Sequence, residues 1–170
     1  SLPDVTRAEL IRLNPSRIVV LGSNIAISDS VFDAIELARP AADVVRIGGA
    51  TRYDTAAMLT QQAFTPGVDT LYLTTAVNFP DGLAVGPVAG LNGSPVLLVP
   101  PTGTIPQVIL DEIERLNPAR IVILGSQLAI DATIDPQLSA FAPSPVPVPE
   151  DRLAFMFSTG GWANTAPGTT

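Results

Sequence analysis

Leu13-Asn14-Pro15-Ser16-Arg17-Ile18-Val19-Val20-Leu21-Gly22-Ser23 returns 103 residues later as Leu116-Asn117-Pro118-Ala119-Arg120-Ile121-Val122-Ile123-Leu124-Gly125-Ser126. The agreement runs beyond this core at the same offset: Pro3 falls on Pro106, Glu9 on Glu112, and Ala26-Ile27 on Ala129-Ile130. Identity held at one fixed offset marks an internal repeat. Each copy reads as a helical pattern, an Asn-Pro stop and a short β-branched run ending in glycine. Proline disfavours helical geometry in the residue before it, so Pro15 and Pro118 end the preceding helices. Ile18 to Leu21 and Ile121 to Leu124 lack polar alternation, as expected of parallel strands covered on both faces.

Between the copies the pattern predicts a strand at Val44 to Ile47, a glycine turn, and a helix from about Asp54 to Phe64. A strand follows at Thr70 to Thr75. Pro80 opens a helix that runs through about Leu91, where the missing amide hydrogen of proline is harmless, and Asn92-Gly93 closes it. Pro95 to Val99 is the next strand. A helix at Ile105 to Leu116 then carries Ile105, Ile109, Ile113 and Leu116 on one side, and Arg120 to Leu124 is the last strand. Strands alternating with helices imply parallel pairing through crossovers. The fold class is α/β, a parallel sheet with helices on both faces in tandem Rossmann- or flavodoxin-like units.

Residues 43–142 read as one complete unit and residues 1–42 as the second half of a preceding one, whose single strand is too little to fold alone. From Pro143 to Pro149 four prolines in seven residues mark an extended connector. Residues 143–170 are that connector and a tail, and Val148 to Arg152 lies where a degenerate further unit would begin.

Composition narrows the chemistry. The chain has 170 residues, 46% of them hydrophobic, enough for a compact core. No apolar run reaches the ~20 residues of a membrane-spanning helix, and the first residues lack the basic and apolar regions of a signal peptide. There is no cysteine and no histidine, which removes disulfides, thiolate zinc sites, and the commonest general base and metal ligand. All nine cations are arginine, against sixteen carboxylates, for a net charge of -7. Such a chain repels nucleic acid, so an anionic ligand needs a local arginine. No cofactor is expected.

The stretch Arg46-Ile47-Gly48-Gly49-Ala50-Thr51-Arg52-Tyr53-Asp54-Thr55-Ala56 resembles the opening motif of the cell wall binding repeat 2 family. Asn78-Phe79-Pro80-Asp81-Gly82-Leu83-Ala84 is similar to its asparagine-phenylalanine-proline-aspartate segment. Ser94-Pro95-Val96-Leu97-Leu98 and Ile121-Val122-Ile123-Leu124-Gly125 resemble two of its strands. The likeness spans about Leu2 to Phe141. It departs at Gly125-Ser126 and Gly22-Ser23, where the family usually carries paired glycines, and at Ala76, near which it tends to have glycine. The resemblance implies a secreted, extracellular envelope protein whose tandem repeats attach non-covalently to an anionic cell-wall polymer, without catalysis.

The expected ligand-binding residues are Arg46, Gly48, Gly49, Arg52, Tyr53, Asp54, Asn78 and Asp81. A glycine turn between strand and helix exposes amides that suit an anion, and Arg52 adds a charged fork. Alternatively the glycines only make a tight turn while Arg52 pairs with Asp54 or Asp81. Asn78 and Asp81 follow a strand end, where ligands of open parallel sheets gather. Equally, Asn78 caps a helix and Asp81 is a first-turn carboxylate favoured by the helix dipole. Tyr53 and Phe79 stack on a sugar or pack in the core. Arg17 and Arg120, at equivalent strand entries, make a repeated ligand contact or a structural one. The competing function is a phosphate- or nucleotide-binding α/β enzyme using Asp54 and Asp81. The half unit is expected to cover its apolar face with the complete unit or with identical chains, as a homo-oligomer.

Overall fold

The computed structural model describes residues 1–77, 80–126 and 129–141. The connector and tail from residue 143 onward, with the further unit expected there, lie outside the described residues. Contacts divide the chain into two compact units, Ser1–Ala63 and the part from Phe64 onward.

In the first unit, helix α1 (Asp4–Leu13) stops at the Asn-Pro pair. Asn14 turns into the left-handed region at φ 49°, and its N–H donates to the Leu10 carbonyl at 3.2 Å. Asparagine tolerates that conformation better than most residues. The chain then enters strand β1 (Arg17–Leu21), helix α2 (Asp29–Ala38), strand β2 (Asp43–Ile47) and helix α3 (Arg52–Ala63). Strands β1 and β2 run parallel, in register from Arg17 opposite Asp43 to Leu21 opposite Ile47. Leu2, Val20 and Ile35 centre the core, with Leu10, Ile18, Phe32 and Val44 packed around them. The strand left single in the sequence reading thus gains a partner across α2. In sequence β2 opens the complete repeat, whereas in contacts it shares a unit with the half repeat.

The second unit contains strand β3 (Thr70–Thr75), helix α4 (Pro80–Asn92), strand β4 (Val96–Val99), helix α5 (Gln107–Leu116), strand β5 (Arg120–Ile123) and the single turn α6 (Asp135–Leu138). Its sheet is parallel in the order β4-β3-β5. The central strand β3 is buried at every residue, which explains its unbroken run without polar alternation. Helix α4 ends as Asn92-Gly93 predicts: Gly93 takes φ 59° and the Ser94 N–H reaches back to the Ala89 carbonyl at 2.9 Å. Ile105, Ile109, Ile113 and Leu116 are all buried, so the apolar stripe of α5 faces the core as its spacing predicts.

Helix α6 carries no element in the sequence reading, being too short for a periodic pattern. It matters nonetheless. Ile134 and Leu138 are buried, and the Gln137 side chain accepts from the Ile105 N–H (2.8 Å) and donates to the Gly103 carbonyl (2.8 Å), fixing the entry to α5.

Thr74 on β3 is 1% exposed, and its hydroxyl has no hydrogen-bond partner among the described residues. A buried unsatisfied hydroxyl costs about 1–3 kcal/mol. Thr74→Val keeps the shape and removes that group, so it should raise stability by about 1 kcal/mol in urea denaturation. A lower midpoint would contradict this.

Candidate functional site

Strand β2 ends at the buried Ile47, and Gly48 to Thr51 turn the chain into α3. The two glycines are there because neighbours leave no room. A Cβ on Gly48 would stand 2.3 Å from the Gly22 carbonyl carbon and 2.3 Å from the Ser23 nitrogen. At Gly49 it would stand 2.2 Å from the Asp54 Cβ.

Thr51 and Asp54 start the helix as a reciprocal capping box, in which the first residue caps forward and the fourth caps back. The Asp54 carboxylate accepts from the Thr51 N–H at 2.9 Å and from the Thr51 hydroxyl. The Thr51 hydroxyl oxygen in turn accepts from the Tyr53 and Asp54 N–H groups at 3.2 and 3.3 Å. Thr55 adds a further tie: its hydroxyl donates to the Thr51 carbonyl (3.0 Å) and accepts from the Gly49 N–H (3.0 Å). The Thr51 hydroxyl, then the Thr51 backbone amide, hold the Asp54 carboxyl below its ordinary pKa.

Arg46 is directed inward to the first unit. Its guanidinium donates to the carbonyls of Gly22 (3.0 Å) and Ile27 (2.7 Å), pairs with Asp29 at 3.4 Å, and lies 4.8 Å from the centre of the Phe32 ring. It therefore clamps the loop between β1 and α2 against the end of β2. Arg52, at the first position of α3, is exposed, and Tyr53 is half-buried.

Six of the eight expected residues, Arg46, Gly48, Gly49, Arg52, Tyr53 and Asp54, thus sit on one strand-to-helix turn of the first unit. Asp81 belongs to the second unit, in the first turn of α4. Its carboxylate stands against the turn after β5, where Gly125 takes φ 116° and a Cβ would meet Asp81 Oδ2 at 3.1 Å. Asn78 and Phe79 lie outside the described residues.

The strand-entry arginines make structural contacts: Arg17 reaches Asp43 at 3.6 Å, and Arg120 donates to the Thr70 hydroxyl at 3.0 Å. The roles of Thr51 and Thr55 were missed in the sequence, although Thr51-Arg52-Tyr53-Asp54 has the spacing of a capping box. No group of three or more His, Cys, Asp or Glu side chains among the described residues could hold a metal ion. No helix among them is long and apolar enough to cross a membrane.

An uncharacterized protein of Pyrococcus abyssi is 32% identical over 137 residues, covering 79% of this chain and 40% of that relative. The amidase enhancer of Bacillus subtilis is 25% identical over 138 residues, covering 81% of this chain and 18% of the relative. Among solved structures, Cwp6 from Clostridium difficile superposes with a TM-score of 0.72 at 25% identity, over 82% of this chain and 22% of that one. Cwp8 from the same organism gives 0.67 at 16% identity, over 84% of this chain and 24% of that one, a likeness of fold alone. This chain spans less than half the length of each of these proteins. The four motifs, the parallel α/β architecture and a match to the family model of Cell wall binding domain 2 over residues 46–135 agree, and the chain belongs to that family as a cell-wall-associated module.

Proposed function

We propose that this chain is a non-catalytic anchoring module that holds a secreted bacterial protein to an anionic cell-wall polymer at the cell surface. The observation that carries the reading is the family match over residues 46–135, which contains both the capped turn and Asp81. Within it Arg52 makes the main ionic contact, with Tyr53 beside it, while Arg46, Gly48, Gly49 and Asp54 hold the turn in shape. Asn78 and Asp81 form the second contact segment. Further repeats of a parent protein, or identical chains, are the proposed protein partners.

Binding through a guanidinium suits this turn better than binding through its amides. Four amides that an anion cradle would draw on, those of Gly49, Thr51, Tyr53 and Asp54, already donate to the side chains of Thr55, Asp54 and Thr51. That occupation also weakens the reading as a nucleotide- or phosphate-binding enzyme. A panel of nucleotides is expected to leave the melting temperature unchanged.

The protein should pellet with isolated cell walls and stay in solution once the anionic polymer has been stripped from them. Arg52→Ala should weaken wall binding about tenfold, the equivalent of one charge-assisted contact worth ~1.5 kcal/mol. Added salt should weaken binding further, because the contact is ionic. Equal retention on stripped walls would refute the polymer as ligand, and full binding by a folded Arg52→Ala protein would remove Arg52 from the site.

A further inference from the structure

The two copies of the repeated helix and strand share a sequence but not an environment. In the second unit α5 buries Ile109, Glu112, Ile113 and Leu116. Helix α1, displaced by the repeat offset, buries none of its residues. Val5, Thr6, Glu9, Leu10 and Leu13 instead line an open, mainly apolar groove of about 290 Å³. Their equivalents are Val108, Ile109, Glu112, Ile113 and Leu116. Leu13 is 58% exposed where Leu116 is 0% exposed.

The second unit shows what covers this surface. Residues 64–75 cross the end of α5 and then pair with β5. The Gly67 and Val68 N–H groups donate to the Leu116 carbonyl at 2.8 and 3.3 Å, and Arg115 donates to the Phe64 carbonyl at 3.2 Å. The Ala119 N–H donates to the Val68 carbonyl at 2.9 Å, Arg120 reaches the Thr70 hydroxyl, and Thr70 to Leu73 lie in register with Arg120 to Ile123.

Every receptor for these contacts is present in the first copy. Arg12 stands for Arg115, the Leu13 carbonyl for that of Leu116, the Ser16 N–H for that of Ala119, and Arg17 for Arg120. Arg12 is already oriented by Glu9, with Nε–Oε2 and Nη2–Oε1 distances of 2.7 and 2.6 Å, as Arg115 is by Glu112 at 2.8 and 2.7 Å.

The strand edge is open as well. In a parallel ladder alternate residues bond to opposite neighbours. The Ser16 carbonyl and the Gly22 N–H are bonded to β2, so Arg17, Val19 and Leu21 present their backbone groups on the other edge. Strand β1 pairs only with β2 among the described residues, and Val19 and Leu21 are 41% and 47% exposed. At the position equivalent to Leu21, the Leu124 N–H donates to the Leu73 carbonyl of β3 at 2.8 Å.

We propose that the exposed face of α1 and the free edge of β1 form one docking surface, which takes a turn-and-strand segment of the chemistry of residues 64–75 from another cell wall binding repeat. The segment adds to β1 as a parallel strand, seats its turn on the Leu13 carbonyl and offers a backbone carbonyl to Arg12. Strand addition of this kind draws affinity from main-chain hydrogen bonds and selectivity from alternate side chains. The proposal is independent of wall binding.

The test is titration of the intact, isotope-labelled chain with a synthetic peptide of residues 64–75, followed by backbone amide shifts. Saturable shifts confined to α1 and β1, with half-saturation below about 1 mM, are expected. Leu13→Asp and Val5→Asp change exposed positions, 58% and 79% accessible, and each should weaken the peptide at least tenfold while amide signals elsewhere stay put. Three results would overturn the proposal: no shift up to about 1 mM, equal shifts with a scrambled peptide, or shifts falling on α5 and β5 instead.

Discussion

Arg115→Met should lower the stability of the second unit by about 3 kcal/mol, because it strands a carboxylate inside the protein. The Glu112 side chain is 0% exposed and that of Arg115 is 31% exposed; two hydrogen bonds of 2.8 and 2.7 Å join them. Glu112 holds its partner in the charged form, raising the guanidinium pKa above its ordinary value, so removing Arg115 leaves the acid to bear its burial alone. The partial exposure of Arg115 places the effect at the lower end of what breaking a buried pair costs. The Phe64 carbonyl loses its Arg115 donor in the same step.

The repeat provides the control. Glu9 and Arg12 form the same pair three residues apart on α1 at 2.6 Å, but their side chains are 52% and 68% exposed. Arg12→Met should therefore change stability by less than about 1 kcal/mol, the ordinary worth of a solvated pair. Replacing both buried partners with Glu112→Leu and Arg115→Met should recover most of the loss, since a well-packed apolar pair serves about as well as a buried ionic one. Urea denaturation of the four proteins, followed by circular dichroism, reads all three comparisons. Equal small effects at Arg115 and Arg12 would show that water reaches Glu112.

Gly48→Ala should cost the first unit about 3 kcal/mol or more, the upper range of overpacking, because the added methyl meets backbone that cannot rotate away. The three atoms it would strike, the Gly22 carbonyl carbon, the Ser23 nitrogen and the Gly22 oxygen, lie 2.3, 2.3 and 2.5 Å from its ideal position. Gly22 cannot give way freely: its φ is 121°, and its N–H donates to the Ile47 carbonyl at 2.7 Å. Separating the two chains breaks that bond at the end of the β1-β2 ladder and loosens the Arg46 clamp on the Gly22 and Ile27 carbonyls. Gly90→Ala in α4 is the counterpart: nothing stands within 4 Å of its Cβ position, and the change should gain up to about 1 kcal/mol by helix propensity. Amide exchange on β1 and β2 should accelerate in Gly48→Ala. Unchanged exchange and melting would mean that the turn relaxes at no cost.

Local sequence alone located the five strands to within a residue or so, because Asn-Pro stops, β-branched runs and glycine turns act through backbone sterics over a few positions. It also set the stripe of α5, since one helical period places Ile109, Ile113 and Leu116 together whatever they meet. The capping box of Thr51 and Asp54 was equally local and thus legible. Tertiary structure decided the rest. Arg46 finds Gly22, Ile27 and Asp29, partners 17 to 24 residues away that no short-range pattern specifies. The order β4-β3-β5 buries Thr70 to Thr75 on both faces, although its threonines read as polar. Most plainly, Leu13 and Leu116 sit in nearly identical sequences, yet one is exposed and the other buried. Burial depends on what the rest of the chain lays across a helix, and in the second unit that cover is the segment beginning at Phe64.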